Sequence, residues 1–104
     1  MTRATLLAGA ASPAGFSLAG IDVAQESVVQ GTVVRDGSPV GGAYVRLLDT
    51  RGEFTAEVPT TPSGQFRFFA LPGAWTVRTR APGATVDHPV RAQRGAVVEL
   101  VVAV

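Results

Sequence analysis

The sequence predicts an all-β domain, a seven-stranded antiparallel β-sandwich, and three observations carry that expectation. β-Branched and aromatic residues recur in short runs with two-residue alternation, and no segment shows a helical period. Turn signals built on Gly, Pro and Asp separate those runs at intervals of about 8–12 residues, the spacing of sandwich strands. The 104 residues include 12 Gly and 7 Pro yet are 46% hydrophobic. That suits one domain able to bury a core, with many tight turns.

Residues 1–26 differ from the rest. Ala, Gly, Ser and Thr dominate there, and the apolar run after Arg3 is too short and broken for a secretory signal. They are expected to form a flexible N-terminal arm, docking where Phe16 and Leu18 or Ile21 and Val23 find cover. The sandwich is expected over residues 27–104. Its first strand, 27–34, is β-branched with Gly31 inside it, which marks a bulge or a close backbone approach. Asp36-Gly37 supplies a turn with positive φ. In the next strand Ala43, Val45 and Leu47 share one face, while Tyr44, Arg46 and Leu48 share the other. A turn at 49–52 leads to residues 54–58, where Phe54, Ala56 and Val58 alternate with Thr55 and Glu57.

The stretch that organises the chain is GQFRFFALPGAWTVRTR at residues 64–80, with the single Trp and three of the five Phe. It reads as a central hairpin around Pro72-Gly73, with Phe66 and Phe68 facing inward against Trp75 and Val77. Pro89 demotes residues 86–91 to an edge or irregular strand. The last strand, 96–104, carries Val98, Leu100, Val102 and Val104 on one face. Its other face is also apolar except for Glu99, which implies cover by the N-terminal arm or a subunit contact.

Composition excludes several functions. Nine Arg against eight acidic residues give a net charge of +1, which draws neither nucleic acid nor an acidic membrane surface. No apolar run reaches the roughly 20 residues of a membrane-spanning helix. With no Cys, disulfides, thiolate metal sites and cysteine nucleophiles are excluded. His88 is the only histidine and reads as an exposed loop residue beside Asp87. No second His exists for a triad, and no serine lies in a Gly-x-Ser-x-Gly elbow. Asp49, Glu53 and Asp87 are too sparse for a calcium cage. No catalytic residue, cofactor or metal site is expected. The candidate surface is the outward face implied by alternation: Tyr44, Arg46, Glu57, Arg67, Phe69, Arg78 and Arg80. Arginine interleaved with aromatics suits a carboxylate, a sulfur oxyanion or a partner's acidic patch. The competing reading is Arg–Glu pairing on a solvated sheet.

GTVVRDGSPVGGAYV at residues 31–45, TPSGQFRF at 61–68 and LPGAWTV at 71–77 resemble the carboxypeptidase regulatory-like domains. That resemblance spans about residues 27–104 and implies a prealbumin-like β-sandwich. YVRLLDTRGEFTAEV at 44–58 with GQFRFF at 64–69 is similar to a small actinobacterial family of unknown function. Its mycobacterial members are called SseC. The similarity implies a place in sulfur metabolism in the cytoplasm, beside thiosulfate sulfurtransferases. Those relatives begin Met-Cys-Gly, whereas this chain has no Cys, so it offers no thiol to accept sulfur. Prealbumin-like hydrolases of ureide rings need His and Arg sets and a C-terminal motif that these residues do not match. The expected function is therefore a non-catalytic interaction or scaffold module, an accessory to a sulfurtransferase, with a protein partner. A homo-oligomer through the C-terminal strand is a further expectation. The alternative is a binding module for a small anion or carbohydrate, and a hydrolase is the least supported reading.

Overall fold

The computed structural model describes residues 3–7 as backbone and residues 20–104 with their side chains. Nine strands occur among them: β1 (Arg3–Leu7), β2 (Ser27–Arg35), β3 (Ser38–Pro39), β4 (Tyr44–Leu48), β5 (Phe54–Pro59), β6 (Gln65–Phe69), β7 (Gly73–Ala81), β8 (Ala84–Ala92) and β9 (Ala96–Ala103). Two exceed the seven expected, the N-terminal β1 and the two-residue β3. The strands form a β-sandwich. Its first sheet runs β1-β9-β2, with β6 and β3 sharing the far edge of β2; its second runs β5-β4-β7-β8.

The core lies between the sheets. Val29 and Val33 of β2, Phe66 and Phe68 of β6, and Val98, Leu100 and Val102 of β9 meet Val45 and Leu47 of β4 and Val77 of β7. Phe66 and Phe68 stand 6.1 Å apart at 55°, a tilted aromatic pair. Full burial of each contributes about 1.5–3 kcal/mol, which makes β6 a principal anchor of the first sheet.

Local chemistry explains the turns and one close approach. Asp36 and Gly37 both take positive φ, at 52° and 80°, and so close a two-residue hairpin between β2 and β3. Gly31 sits opposite Leu100 of β9 in the register. A Cβ built there would overlap the Leu100 carbonyl oxygen, so the strand needs glycine for close packing of backbone on backbone rather than for a bulge.

Three expectations are corrected. β6 and β7 do not form a hairpin: β6 pairs with β2, and β7 pairs with β4 and β8. Residues 70–72 instead carry the chain from one sheet to the other, where Trp75 Nε1 donates to the Leu71 carbonyl at 2.8 Å. A short connection and two alternating strands fit either arrangement, because Phe66 and Phe68 face Val77 in both. β2 and β9 pair in parallel. No turn joins them directly, so no hairpin dictates their direction. Phe54 is 58% exposed. The β4–β5 register shifts between Leu47 and Leu48, and that irregularity moves Phe54 out of step with Ala56 and Val58.

β9 lies between β1 and β2, and both its backbone edges are paired. Residues 20–26 include a turn in which Gln25 and Glu26 donate their amides to the Asp22 carbonyl at 3.0 and 2.9 Å. The expected docking of Phe16 and Leu18 lies outside the described residues.

Candidate functional site

Antiparallel register lays the outer face of the second sheet out as a grid. One row reads Pro59, Tyr44, Arg80 and Thr85 across β5, β4, β7 and β8. The next reads Glu57, Arg46, Arg78 and Asp87, and a third reads Phe54, Leu48, Thr76 and Pro89. The period of two that points Val45, Leu47 and Val77 into the core turns these residues outward. Five of the seven sequence-predicted residues meet here: Tyr44, Arg46, Glu57, Arg78 and Arg80.

The middle row alternates charge at its ends. Arg46 Nε donates to Glu57 Oε2 at 2.5 Å, and Arg78 grips Asp87 through Nε and Nη2 at 2.8 and 2.9 Å. The hydrogen bond from Arg78 holds the Asp87 carboxyl below its ordinary pKa, and the same bond raises that of Arg78. The Arg46 guanidinium also lies 5.3 Å from the centre of the Phe54 ring, within cation–π range. Arg80 differs from its two neighbours: among the described residues its guanidinium makes no hydrogen bond or ion pair.

Beside Arg80 an open groove of about 810 Å³ runs between Gly42, Tyr44, Arg46 and Glu57 on one side and Ala81 to Thr85 on the other. A second recess of about 390 Å³ adjoins it, lined by Arg46, Arg78, Arg80, Thr85 and Asp87. Arg46, Arg80 and Thr85 border both. The rim is set from the opposite sheet, because Arg35 Nη2 donates to the Pro82 carbonyl at 2.6 Å across the β7–β8 turn. Thr85 and Asp87 are members of this face that the candidate set omitted. Their alternation within β8 is the signal that finds them, once Pro82-Gly83 is read as a hairpin turn.

Arg67 and Phe69 do not join the site. β6 belongs to the first sheet, so alternation turns them to the outer face on the other side of the sandwich. There Arg67 Nε donates to Gln30 Oε1 at 2.7 Å, and Gln30 Nε2 donates to Glu99 Oε2 at 2.9 Å. Gln30 is 0% exposed and Glu99 5%, so these two polar groups are buried although they face away from the core, and Arg67 beside them is half-buried. Burial pushes the Arg67 pKa down, and the negative charge of Glu99 opposes that shift.

His88 is not an exposed loop residue. It lies in β8, paired in register with Val77, on the side that Val86 and Val90 turn toward the core. There it is half-buried, and burial lowers its pKa. Asp49 holds its own loop, its Oδ1 accepting from the Arg51 and Glu53 amides at 2.9 and 3.0 Å. Among the described residues no three His, Asp or Glu side chains converge to hold a metal ion.

Comparison with known proteins places the chain among proteins without an assigned role. Two uncharacterized proteins of Mycobacterium tuberculosis are each 50% identical over 74 residues, spanning 70% of this chain and 74% of theirs. An uncharacterized protein of Mycolicibacterium smegmatis is 59% identical over 61 residues, 58% of this chain and 68% of that protein. Among solved structures, the dioxygenase domain of a dioxygenase carbohydrate-binding protein fusion from Streptomyces sp. SirexAA-E superposes with a TM-score of 0.60 over 84% of each chain. At 13% identity that likeness concerns the fold alone. Residues 9–104 match the family described as "Protein of unknown function (DUF1416)", and the chain belongs to that family.

Proposed function

We propose that this domain is a non-catalytic interaction module whose recognition face is the outer face of the β5-β4-β7-β8 sheet. The observation that carries the reading is the concentration on one open sheet face of Tyr44, Arg46, Arg78 and Arg80, with Arg91 further along β8, so that two acids stand against four guanidiniums. Tyr and Arg are the residue types that dominate binding energy at protein interfaces. The surplus positive charge suits a partner with an acidic surface. The similarity to the SseC group supports a sulfurtransferase as that partner, in a cytoplasmic setting. A homo-oligomer built on β9 would have to use its outward side chains, since both of its edges are paired.

The test is affinity isolation from the host under mild conditions, followed by native mass measurement. A stoichiometric complex with a second protein, lost on Tyr44→Ala, supports the reading. A clean monomer contradicts an obligate accessory role.

A second reading draws on the groove. A volume of about 810 Å³ falls within the range of small-ligand sites, which favours a small anion or carbohydrate. Under that reading a screen of such compounds raises the melting temperature of the isolated protein.

A further inference from the structure

We propose that Arg80 is the seat for a single carboxylate, the side chain of an Asp or Glu in an acidic segment of a partner protein. The inference rests on the interaction-module reading and gives it a point of contact. Arg46 and Arg78 each have a carboxylate, in Glu57 and Asp87 respectively, and Arg80 has none among the described residues. At the groove the surplus charge therefore stands at Arg80; Arg91, the other outward arginine of this sheet without an ion pair among the described residues, lies three rows further along β8. The position is also shaped for an occupant. In its row Arg80 stands between Tyr44, which is 53% exposed, and Thr85, and it borders both the groove and the smaller recess.

A guanidinium presents a planar fork of donors that matches a carboxylate, and the Thr85 hydroxyl stands beside it as a further donor. One surplus charge at the groove matches one carboxylate better than a doubly charged group. An exposed ion pair contributes little alone, so the carboxylate must arrive attached to something that buries apolar area. The exposed rings of Tyr44 and Phe54, two rows apart on the same face, provide that area. A peptide segment reaches both a ring and the Arg80 seat, whereas a free carboxylate reaches only the seat.

The experiment is NMR titration of the full chain, following the arginine Nε–Hε signals. The probes are a capped Leu-Glu-Leu peptide, the same peptide with Gln in place of Glu, and butyrate, a free monocarboxylate, each at millimolar concentration. The Glu peptide is expected to shift the Arg80 signal, less so at high salt, and the Gln peptide to bind about tenfold more weakly. Arg80→Gln weakens the Glu peptide by a similar factor, while Arg94→Gln, in the β8–β9 turn beside Gln25 and off this face, leaves it unchanged. Equal response to the Glu and Gln peptides, or indifference to Arg80→Gln, overturns the proposal. Butyrate binding as tightly as the Glu peptide overturns the peptide as occupant and assigns the seat to free acids. A native complex that survives Arg80→Gln but is lost on Tyr44→Ala keeps the recognition face and removes the carboxylate seat.

Discussion

The outer faces of the two sheets each carry a line of polar side chains across the strands, and the lines differ in burial. On the first sheet Arg67, Gln30 and Glu99 are joined across β6, β2 and β9, with Gln30 fully buried. On the second, Glu57, Arg46, Arg78 and Asp87 cross β5, β4, β7 and β8 with side chains 30–44% exposed. Similar groups have different consequences in the two settings. Under cover, a polar group that loses its partner bears the full cost of desolvation. In solvent, water replaces a lost partner and the pair contributes little. The first face is therefore structural, and the second can change partners without endangering the fold.

The harshest way to test the structural side is Gly31→Ala. The added Cβ overlaps the Leu100 carbonyl at the centre of the first sheet, and we expect a loss of about 3 kcal/mol or more, read as a collapse of cooperative melting. Gln30→Leu comes next. It removes the donor from Glu99 and the acceptor from Arg67, and should cost about 1–3 kcal/mol by denaturant titration. Thr79→Val sharpens the comparison from inside the exposed sheet. Thr79 is 0% exposed and its hydroxyl has no hydrogen-bond partner, so the isosteric apolar side chain should stabilise by about 1 kcal/mol, seen as a raised melting temperature. Glu57→Gln should produce the smallest change, within about 0.5 kcal/mol, because its ion pair with Arg46 is solvated. If Glu57→Gln proves as damaging as Gln30→Leu, the distinction between the faces fails.

Much of the fold was legible because local chemistry dictates it. Asp36-Gly37 admits one kind of turn, Gly31 marks a bulge or a close approach, and alternation in β4 sorts Val45 and Leu47 from Tyr44 and Arg46. What stayed hidden is non-local. Alternation says which way a side chain points relative to its own strand and not which sheet the strand joins. That is why alternation alone groups Arg67 and Phe69 with Tyr44 and Arg46 although β6 and β4 lie in different layers. A register shift of one residue, as at Leu47 and Leu48, reverses the face of Phe54 without altering composition. Glu99 stood out as an interruption in an apolar strand, yet its partnership with Gln30 depends on a parallel pairing that no turn announces. His88 reads as a loop residue beside Pro89 until β8 is seen as the edge strand beside β7.

The most direct test of the account isolates the domain from host extract in two single variants and compares the partner recovered. Arg80→Gln alters the exposed face, and Phe69→Ala removes a 59% exposed ring from the opposite one. The account predicts that Arg80→Gln strips the partner while Phe69→Ala retains it at wild-type stoichiometry, with both variants melting near the wild type. Retention by Arg80→Gln together with loss on Phe69→Ala would contradict it and move recognition to the first sheet.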